Sequence, residues 1–325
     1  MTRVVCFGEA LIDFLNTGRE QVEKLEMNDF RQFPGGAPAN VAVAVAKLGG
    51  DAWFAGQVGN DQFGKFLLHS LQTYNVRTDF VAVHPEAKTP LAFVFLDEAG
   101  ERSFSFRRER TADMVFHEKQ IDDDWFGAGD LFHFCSNTLT TPEIAQVTET
   151  SVRRARAAGS IVSFDVNLRH NLWAKGEAER DAVNRLLALC DIVKFSREEL
   201  DFLADGQGSD WIGKRLDEGT LLILVTDGPA PVLYYGHGFE GKVVTSAQGV
   251  VDTTAAGDGF MGGLLFGLSR LGDVRAAIED DETVRALTDF ATECGAFVVT
   301  SAGAFPSLPR FEDVCGHWRF RDVGR

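Results

Sequence analysis

The chain has 325 residues, 45% of them apolar and 25% charged, which is typical of a soluble globular protein with one large core. Its 32 basic and 48 acidic residues give a formal net charge of −16 at pH 7. This acidity argues against a nucleic-acid backbone or an anionic membrane surface as the partner. It does not exclude a phosphorylated ligand, because a local positive site can lie within a negative whole.

The cysteines and the N-terminal segment indicate the cellular compartment. The five cysteines are odd in number and form no CxxC pair, which is the pattern of reduced and mostly buried thiols. They are Cys6, Cys135, Cys190, Cys294 and Cys315. The opening segment MTRVVCFGEALIDF has an apolar run too short for a signal peptide or a membrane span. We therefore expect a cytoplasmic protein.

The first hundred residues mix strand signals with a polar stretch. Residues 4–7 are a short β-rich run, and residues 16–32 are polar with no clean helical or strand period. After PGGAPAN, the apolar positions of residues 41–48 match one face of a helix, although the Val/Ala alternation would also suit a strand. Because two glycines follow as a stop signal, we predict a buried helix entered from a glycine turn. LAFVFL (91–96), the turn DEAGER and SFSF (103–106) predict a β-hairpin.

Strand and helix signals alternate from residue 111 onward. Strands are predicted at 131–135, 160–165, 191–196 and 221–226, with helices at about 142–158 and 177–189 and over REELDFL. This alternation is typical of an α/β fold with a doubly wound, mostly parallel sheet flanked by helices. Ligands of such sheets bind outside the carboxyl ends of the strands.

The stretch VDTTAAGDGF (251–260) places small residues and a carboxylate directly before an apolar helical run. A helix N-terminus binds anions, and Ala255, Ala256 and Gly257 would let the backbone approach a phosphate closely. Asp258 would repel a phosphate, so it suits a base that takes the proton from an attacking hydroxyl. The alternative is that Asp258 caps the helix, and spacing alone does not separate the two.

GGAPAN and VDTTAAGDGF resemble the two signature regions of the ribokinase-like (PfkB) family of sugar kinases, and the resemblance covers essentially the whole chain. VVCFGEALIDF and GQVGNDQFGKFLLHSLQTYNV look most like the fructokinases of that family. The resemblance implies a single ribokinase-like domain over residues 1–325, with a small β-sheet lid formed by inserted segments at about 14–33 and 88–110. It also implies ATP-dependent transfer of a phosphoryl group to the primary hydroxyl of fructose, giving fructose 6-phosphate.

One departure from the second signature affects the anion site. The family usually reads DTxGAGD, and this chain has Ala255 where the first of those glycines is expected. Alanine offers the same N–H but adopts a positive φ less readily than glycine.

The resemblance assigns the sugar side of the site. Asp13, Gly35, Gly36 and Asn40 are expected to bind sugar hydroxyls, the carboxylate accepting and the amides and Asn40 donating. Without the family context, a plain turn with an asparagine near a helix start would explain the last three equally well.

Two arginines are expected near the ligands. DVNLR (165–169) follows a predicted strand, and the resemblance places Asn167 in the site and Arg169 close to the transferring phosphate or to an acidic substrate group. Arg108, in the hairpin stretch FSFRRERTADM, is expected to reach the sugar side. The alternatives are a surface arginine paired with an acid at 169 and a simple two-faced strand at 104–108.

Two further stretches are assigned to the nucleotide. KFSREEL, with Lys194, Ser196 and Glu199, resembles the family's N-x-x-E element, whose glutamate organises Mg²⁺ through water. Serine replaces the usual asparagine, and Ser-x-x-Glu is also a helix capping box, so both roles can coexist. VTDGPAP resembles the T-x-G nucleotide element at Thr226 and Gly228, but the second glycine that usually follows is missing.

The remaining expectations concern the adenine of the nucleotide, the metal ions and the oligomeric state. Residues 291–303 would form part of the adenine wall, and Mg²⁺ would bridge the ATP phosphates. Resemblance to some family members suggests a monovalent-cation site for K⁺ at Asp252 and Thr254. Lid hairpins often pair between subunits in this family, so we expect a homodimer.

Three alternatives to a fructokinase stay open. Within the family, a 2-keto-3-deoxygluconate kinase would give Arg108 and Arg169 a carboxylate to bind, and ribokinase follows. From another class, Ala255, Ser196 and the incomplete nucleotide turn would suit a catalytically weakened sugar- or nucleotide-binding protein, although such a protein has no use for Asp258. A NAD-dependent dehydrogenase is not supported, because GHGFEG (236–241) lies between two strand-like runs rather than between a strand and a helix.

Overall fold

The computed structural model of the chain describes residues 2–96, 102–245, 247 and 249–320. The turn predicted for DEAGER, residues 97–102, lies outside the described residues except for its last position.

The described residues form thirteen strands and ten α-helices, together with short 3-10 turns. The strands are β1 (Arg3–Gly8), β2 (Leu11–Val22), β3 (Leu25–Gly35), β4 (Asp51–Gly59), β5 (Arg77–His84), β6 (Leu91–Leu96), β7 (Arg102–Arg107), β8 (Leu131–Cys135), β9 (Ile161–Asp165), β10 (Ile192–Ser196), β11 (Leu222–Asp227), β12 (Ala230–Gly236) and β13 (Phe239–Val243). The helices are α1 (Ala37–Lys47), α2 (Gln62–Thr73), α3 (Pro142–Ala157), α4 (Arg180–Leu187), α5 (Arg197–Ala204), α6 (Gly208–Asp217), α7 (Ala256–Ser269), α8 (Val274–Ile278), α9 (Asp281–Val298) and α10 (Phe311–Val314).

A nine-stranded sheet with the order β13-β12-β11-β10-β9-β8-β1-β4-β5 forms the body of the protein. The seven strands from β11 to β5 run parallel, and β12 and β13 add an antiparallel edge. This confirms the predicted doubly wound α/β fold. From β1 the chain moves outward through β4 and β5 and later returns on the other side to β8. The strand order therefore reverses between β1 and β8, which is where such sheets bind ligands.

Two apolar clusters cover the two faces of this sheet. The alternation along β1 sends Val4 and Cys6 into the cluster that packs α1, α7 and α9, and Val5 and Phe7 into the cluster that packs α3, α4 and α5. Helix α7 is buried from Asp258 to Ser269. Its approach to α1 requires glycine at 262, because a side chain there would collide with Ala44.

A second sheet of four strands, with the order β3-β2-β6-β7, lies beside the first. It includes residues 16–32, which show no regular period in the sequence and which only the family resemblance placed in a small β-sheet. These residues form two long strands that are largely exposed near their shared turn. Because little of that part is buried on either face, selection for alternating polarity is weak there, and the period of 2 is missing.

The other predicted elements agree with the structure in type and differ at some ends. The predicted buried helix after the glycine turn is α1, and GHGFEG is confirmed as the turn between β12 and β13. Helix α4 is shorter than the predicted 177–189, beginning at Arg180 and ending at Leu187. Across the described part of the chain, no helix is both long and apolar enough to cross a bilayer.

Candidate active site

Helix α7 begins at the expected anion site. Its N-cap residue, Ala255, has φ 61° and ψ 9°, which is the left-handed conformation that the family's glycine adopts easily. Among the described residues no side chain caps this end of the helix. The turn of residues 255–257, which we call the anion turn, therefore leads into a helix N-terminus whose dipole favours an anion.

Asp258 is fixed by Asn40 at the N-terminus of α1. The Asn40 Nδ2 atom donates a hydrogen bond to Asp258 Oδ2 over 2.7 Å. Burial raises the pKa of Asp258 to about 6, against the opposing effects of the Asn40 hydrogen bond, Lys194 and Arg169. A carboxylate with a pKa near neutrality is suited to accept a proton. The helix-cap interpretation is not supported, because the N-cap position is Ala255.

A cavity of 370 Å³ opens in front of Asp258, at the carboxyl ends of β1 and β8. Phe104 and Phe106 of β7 close one side of it. Its polar lining comes from Glu9, Asp13, Asn40, Asn137, Asn167, Arg169, Thr253, Thr254 and Asp258. The cavity thus joins Asp13, Asn40, Asn167, Arg169 and the 255–257 turn, which the sequence analysis assigned separately.

Asp13 lies on β2, and the glycine turn lies at the end of β3, where its backbone passes close to the Asp13 carboxylate and to the Glu9 carbonyl. A side chain at residue 35 would collide with the Asp13 carboxylate. Gly36 has φ 107°, and a side chain there would collide with the Glu9 carbonyl. Burial, followed by the charge of Asp258, raises the pKa of Asp13 to about 7. The glycines are therefore needed to bring the carboxylate to the cavity.

A second cavity of 390 Å³ lies on the other side of the anion turn. Thr226 and Gly228 line it, as expected from the partial nucleotide element, and so do Thr292, Gly295, Ala296 and Val299 from the predicted adenine wall. Both cavities share Thr253, Ala256 and Gly257. Two ligands, one in each cavity, would meet at this turn.

Lys194 supplies a buried cation beside the anion turn. Its Nζ atom donates to Asp165 Oδ1 over 3.0 Å, and a side chain at residue 257 would lie 2.9 Å from Nζ. Burial acts to lower the pKa of Lys194, but the charges of Asp165 and Glu199 outweigh it and raise that pKa. The ammonium group therefore stays charged next to Gly257.

Ser196 and Glu199 form the predicted capping box at the start of α5. Glu199 also reaches the 165–169 loop, since its Oε1 atom accepts the Leu168 amide over 2.6 Å and its Oε2 atom accepts the Ser196 amide over 2.7 Å. Both oxygens thus hold backbone amides, which leaves only their remaining lone pairs to act on a magnesium ion through water. The described residues contain no group of three metal-ligating side chains.

Asp252 anchors the loop before the anion turn. Its Oδ1 atom accepts the Thr254 amide over 2.7 Å, and its Oδ2 atom accepts the Gly303 amide over 3.2 Å. The predicted cation residues Asp252 and Thr254 are therefore adjacent, and they join the loop at 251–254 to the segment that follows α9.

The two arginines occupy different places. Arg169 is exposed and lines the first cavity, where its charge lowers the pKa values of Asp13 and Asp258. Arg108 is buried behind the wall of that cavity. Its Nε atom donates to Asp113 Oδ2 over 2.6 Å, and its Nη2 atom lies 3.9 Å from Glu9 Oε2.

The sequence analysis missed Glu9 and Asn137. Both line the first cavity, and Glu9 Oε1 accepts a hydrogen bond from Asn137 Nδ2 over 2.8 Å. Each follows a strand closely, Glu9 after β1 and Asn137 after β8. The rule that ligands bind at the carboxyl ends of parallel strands would have indicated both.

Comparison with known proteins agrees with this geometry. The sequence pattern of the pfkB family carbohydrate kinases matches residues 1–310. The probable fructokinase-6, chloroplastic, of Arabidopsis thaliana is 40% identical over 314 residues, an alignment that covers 96% of this chain and 81% of that protein. The chain therefore belongs to the pfkB family of carbohydrate kinases, and the resemblance seen in the sequence is confirmed.

Two solved structures share the fold along nearly the whole chain. Fructokinase with bound ATP from Xylella fastidiosa superposes with a TM-score of 0.89 and 43% identity, covering 97% of each chain. A double mutant of the Vibrio cholerae O395 fructokinase, bound to fructose, ADP and a potassium ion, has a TM-score of 0.87 and 34% identity over 98% of this chain and 99% of that chain.

The left-handed conformation of Ala255 predicts a stabilising substitution. Such a conformation costs a non-glycine residue about 1 kcal/mol. Glycine avoids this cost, but only part of it appears as stability, because an unfolded chain with glycine has more conformational freedom to lose on folding. We expect Ala255→Gly to raise the melting temperature by about 1–3 °C in a thermal melt. The control is Ala256→Gly, which should lower it because residue 256 is helical. Equal losses in both variants would contradict this prediction.

The raised pKa of Asp258 predicts a dependence of the reaction on pH. Since a base acts only when ionised, kcat/KM for the acceptor should fall as the pH drops through about 6, with a contribution from Asp13 at about 7. Asn40→Leu removes a hydrogen bond that lowers the pKa of Asp258. We therefore expect the acid limb of a pH–rate profile to move up by about one pH unit. Asn184→Leu on α4, away from both cavities, should leave the limb in place, and an unmoved limb in Asn40→Leu would refute the prediction.

Proposed function

We propose that this protein is a fructokinase, which transfers the γ-phosphoryl group of ATP to the primary hydroxyl of fructose and forms fructose 6-phosphate. The observation that carries the proposal is the position of the 255–257 turn, which belongs to both cavities and has Asp258 directly behind it. The sugar would occupy the first cavity and the nucleotide the second. The family membership and the fructokinase relatives support the same reaction.

The chemistry is a direct in-line transfer. Asp258, oriented by Asn40, takes the proton from the attacking hydroxyl. The amides of residues 255–257 and the ammonium of Lys194 offset the negative charge on the transferring group, and Arg169 does so from the cavity mouth. The nucleotide is served by Lys194, Ser196, Glu199, Thr226 and Gly228. Lys194 acts through its charge, and Glu199, which Ser196 positions, holds the 165–169 loop.

The charge of the first cavity favours a neutral sugar over an acidic one. Its described lining contains the carboxylates of Glu9, Asp13 and Asp258, and Arg169 is the only cationic side chain among them. Sugar hydroxyls can donate to these acceptors, whereas the carboxylate of 2-keto-3-deoxygluconate would be repelled by them. Arg108, which was expected to meet such a carboxylate, is already paired with Asp113. We therefore place fructose ahead of 2-keto-3-deoxygluconate as the substrate, and give Arg108 a supporting role behind the sugar.

Two metal ions complete the proposal. Mg²⁺ would neutralise the nucleotide phosphates, with Glu199 acting on it through water. A monovalent cation, K⁺, would occupy the loop held by Asp252 and Thr254, as the potassium-bound relative suggests. Turnover that is independent of added K⁺ would refute the second assignment.

The cytoplasm is the compartment we propose. It is supported by the five cysteines, all of which are free and four of which are buried. Recovery of the protein in an organelle fraction would refute the assignment.

The reaction is tested by ADP release with Mg-ATP and a panel of fructose, glucose, ribose, 2-keto-3-deoxygluconate and adenosine. We expect fructose to be strongly preferred, and we expect Asp258→Asn to lower kcat by about 10²–10⁴-fold while sugar affinity stays within a few fold. Preference for another acceptor would leave the kinase assignment in place and replace fructose as the proposed substrate. Sugar binding without turnover on any acceptor would instead favour the weakened binding protein, and near-normal turnover of Asp258→Asn would remove the base assignment.

We further propose that the four-stranded sheet is a lid that closes over the sugar, excludes water and pairs two subunits. The support is the outer part of β2 and β3, where Val22, Leu25 and Met27 are 41%, 69% and 52% exposed. Sedimentation at micromolar concentration should show a dimer, and Leu25→Glu should convert it to a monomer. Val83→Glu, a change at an equally apolar exposed site on β5, should leave the dimer intact. A monomeric wild type would contradict the proposal.

A further inference from the structure

Asn137 is buried in the wall of the first cavity and has an unused acceptor. It lies in a short 3-10 turn after β8, its side chain lines the cavity, and it is 7% exposed. Its Nδ2 atom donates to Glu9 Oε1 over 2.8 Å, and its main-chain carbonyl accepts a hydrogen bond from Arg108 Nη1 over 3.0 Å. Its side-chain oxygen, Oδ1, has no hydrogen-bond partner within the described structure. A buried acceptor in this state costs stability unless a ligand satisfies it.

Glu9 decides which end of the Asn137 amide faces the ligand. A carboxylate only accepts hydrogen bonds, so the amide turns its NH₂ group toward Glu9 and keeps Oδ1 away from it. Glu9 is itself held on several sides, because its Oε1 atom also accepts the Ala37 amide over 3.2 Å and its Oε2 atom lies 3.9 Å from Arg108. Glu9, which fixes the Asn137 side chain, is thus itself anchored by Ala37 and Arg108.

We propose that Asn137 is a specificity-determining residue, whose Oδ1 atom accepts a hydrogen bond from one non-reacting hydroxyl of the sugar, and that Glu9 is its positioning residue. This inference rests on the proposed fructokinase function. The reacting hydroxyl belongs at Asp258 on α7, whereas Asn137 lies at the end of β8. A sugar that lacks the matching hydroxyl leaves the buried oxygen unpaired, which is the arrangement that rejects such analogues most strongly.

The test compares kcat/KM for fructose with that for four analogues that each lack one hydroxyl: 1-deoxyfructose, 2,5-anhydromannitol, 3-deoxyfructose and 4-deoxyfructose. We expect the wild type to disfavour one of them by about tenfold or more because of Asn137. In Asn137→Ala that one penalty should largely disappear, whereas the penalties for the other analogues should stay within about twofold. The KM for fructose should rise with a smaller change in kcat, because the bond is present before and during transfer.

Two further variants make the test decisive. Asn184→Ala on α4 is the matched control, since that asparagine also has an unpaired Oδ1 but does not line the cavity, and every penalty should match the wild type. In Glu9→Gln, the new side-chain amide can pair with either end of the Asn137 amide. This variant should therefore weaken the penalty for the analogue that lacks the same hydroxyl. It replaces Asn137→Ala in the test if that variant does not fold. The inference would be overturned if all penalties in Asn137→Ala were unchanged, or those in Glu9→Gln where that variant replaces it. The proposed fructokinase function would still stand. Failure of the wild type to phosphorylate fructose would overturn the proposed function, and the inference with it.

Discussion

The close packing of α1 against α7 is the constraint on which the site depends. Glycine at 262 lets the two helices approach, and their N-termini then open side by side at the point where the strand order reverses. This brings Asn40 of one helix within 2.7 Å of Asp258 of the other. One helix end thus orients the proposed base, and the other has backbone amides that could bind a phosphate. A separation of the helices would cost the carboxylate its orientation and the anion turn its position.

The second constraint is electrostatic. Several carboxylates share a cavity in which burial disfavours their charged forms, and the pKa values of Asp13 and Asp258 rise as a result. The ionised forms of these carboxylates are therefore disfavoured, and in the proposed function sugar hydroxyls would stabilise them by donating hydrogen bonds. The same acidity would oppose a phosphate, so the cations Lys194 and Arg169 are placed where the transferring group would pass. Hydrogen-bond acceptors thus line the cavity proposed for the sugar, and the positive charges of Lys194 and Arg169 lie near the position proposed for the phosphate.

Three carboxylates hold separate parts of the site together. Glu199 joins the start of α5 to the 165–169 loop, and Asp252 joins the loop before the anion turn to Gly303. Glu9 plays the same part for Asn137 and the start of α1. Each is a carboxylate that binds backbone or amide donors from a distant part of the chain. This is why single changes at these carboxylates are expected to alter specificity through the residues that they hold.

The sequence by itself determined the α/β class, the helix that begins within VDTTAAG and the family, because these follow from local periodicity and from contiguous motifs. It also indicated Asp258, but spacing left a base and a helix cap equally good, and only the structure removed the cap, because Ala255 is the N-cap residue of the helix. The long strands β2 and β3 could not be placed from the local pattern, because their exposed ends carry no alternation, and only the family resemblance predicted a small sheet there. The contacts of Glu9, Asn137 and Arg108 were decided by the tertiary structure alone, although the strand-end rule could have indicated Glu9 and Asn137 as candidates. Their roles depend on contacts between strand ends far apart in the chain, and no local pattern records such contacts.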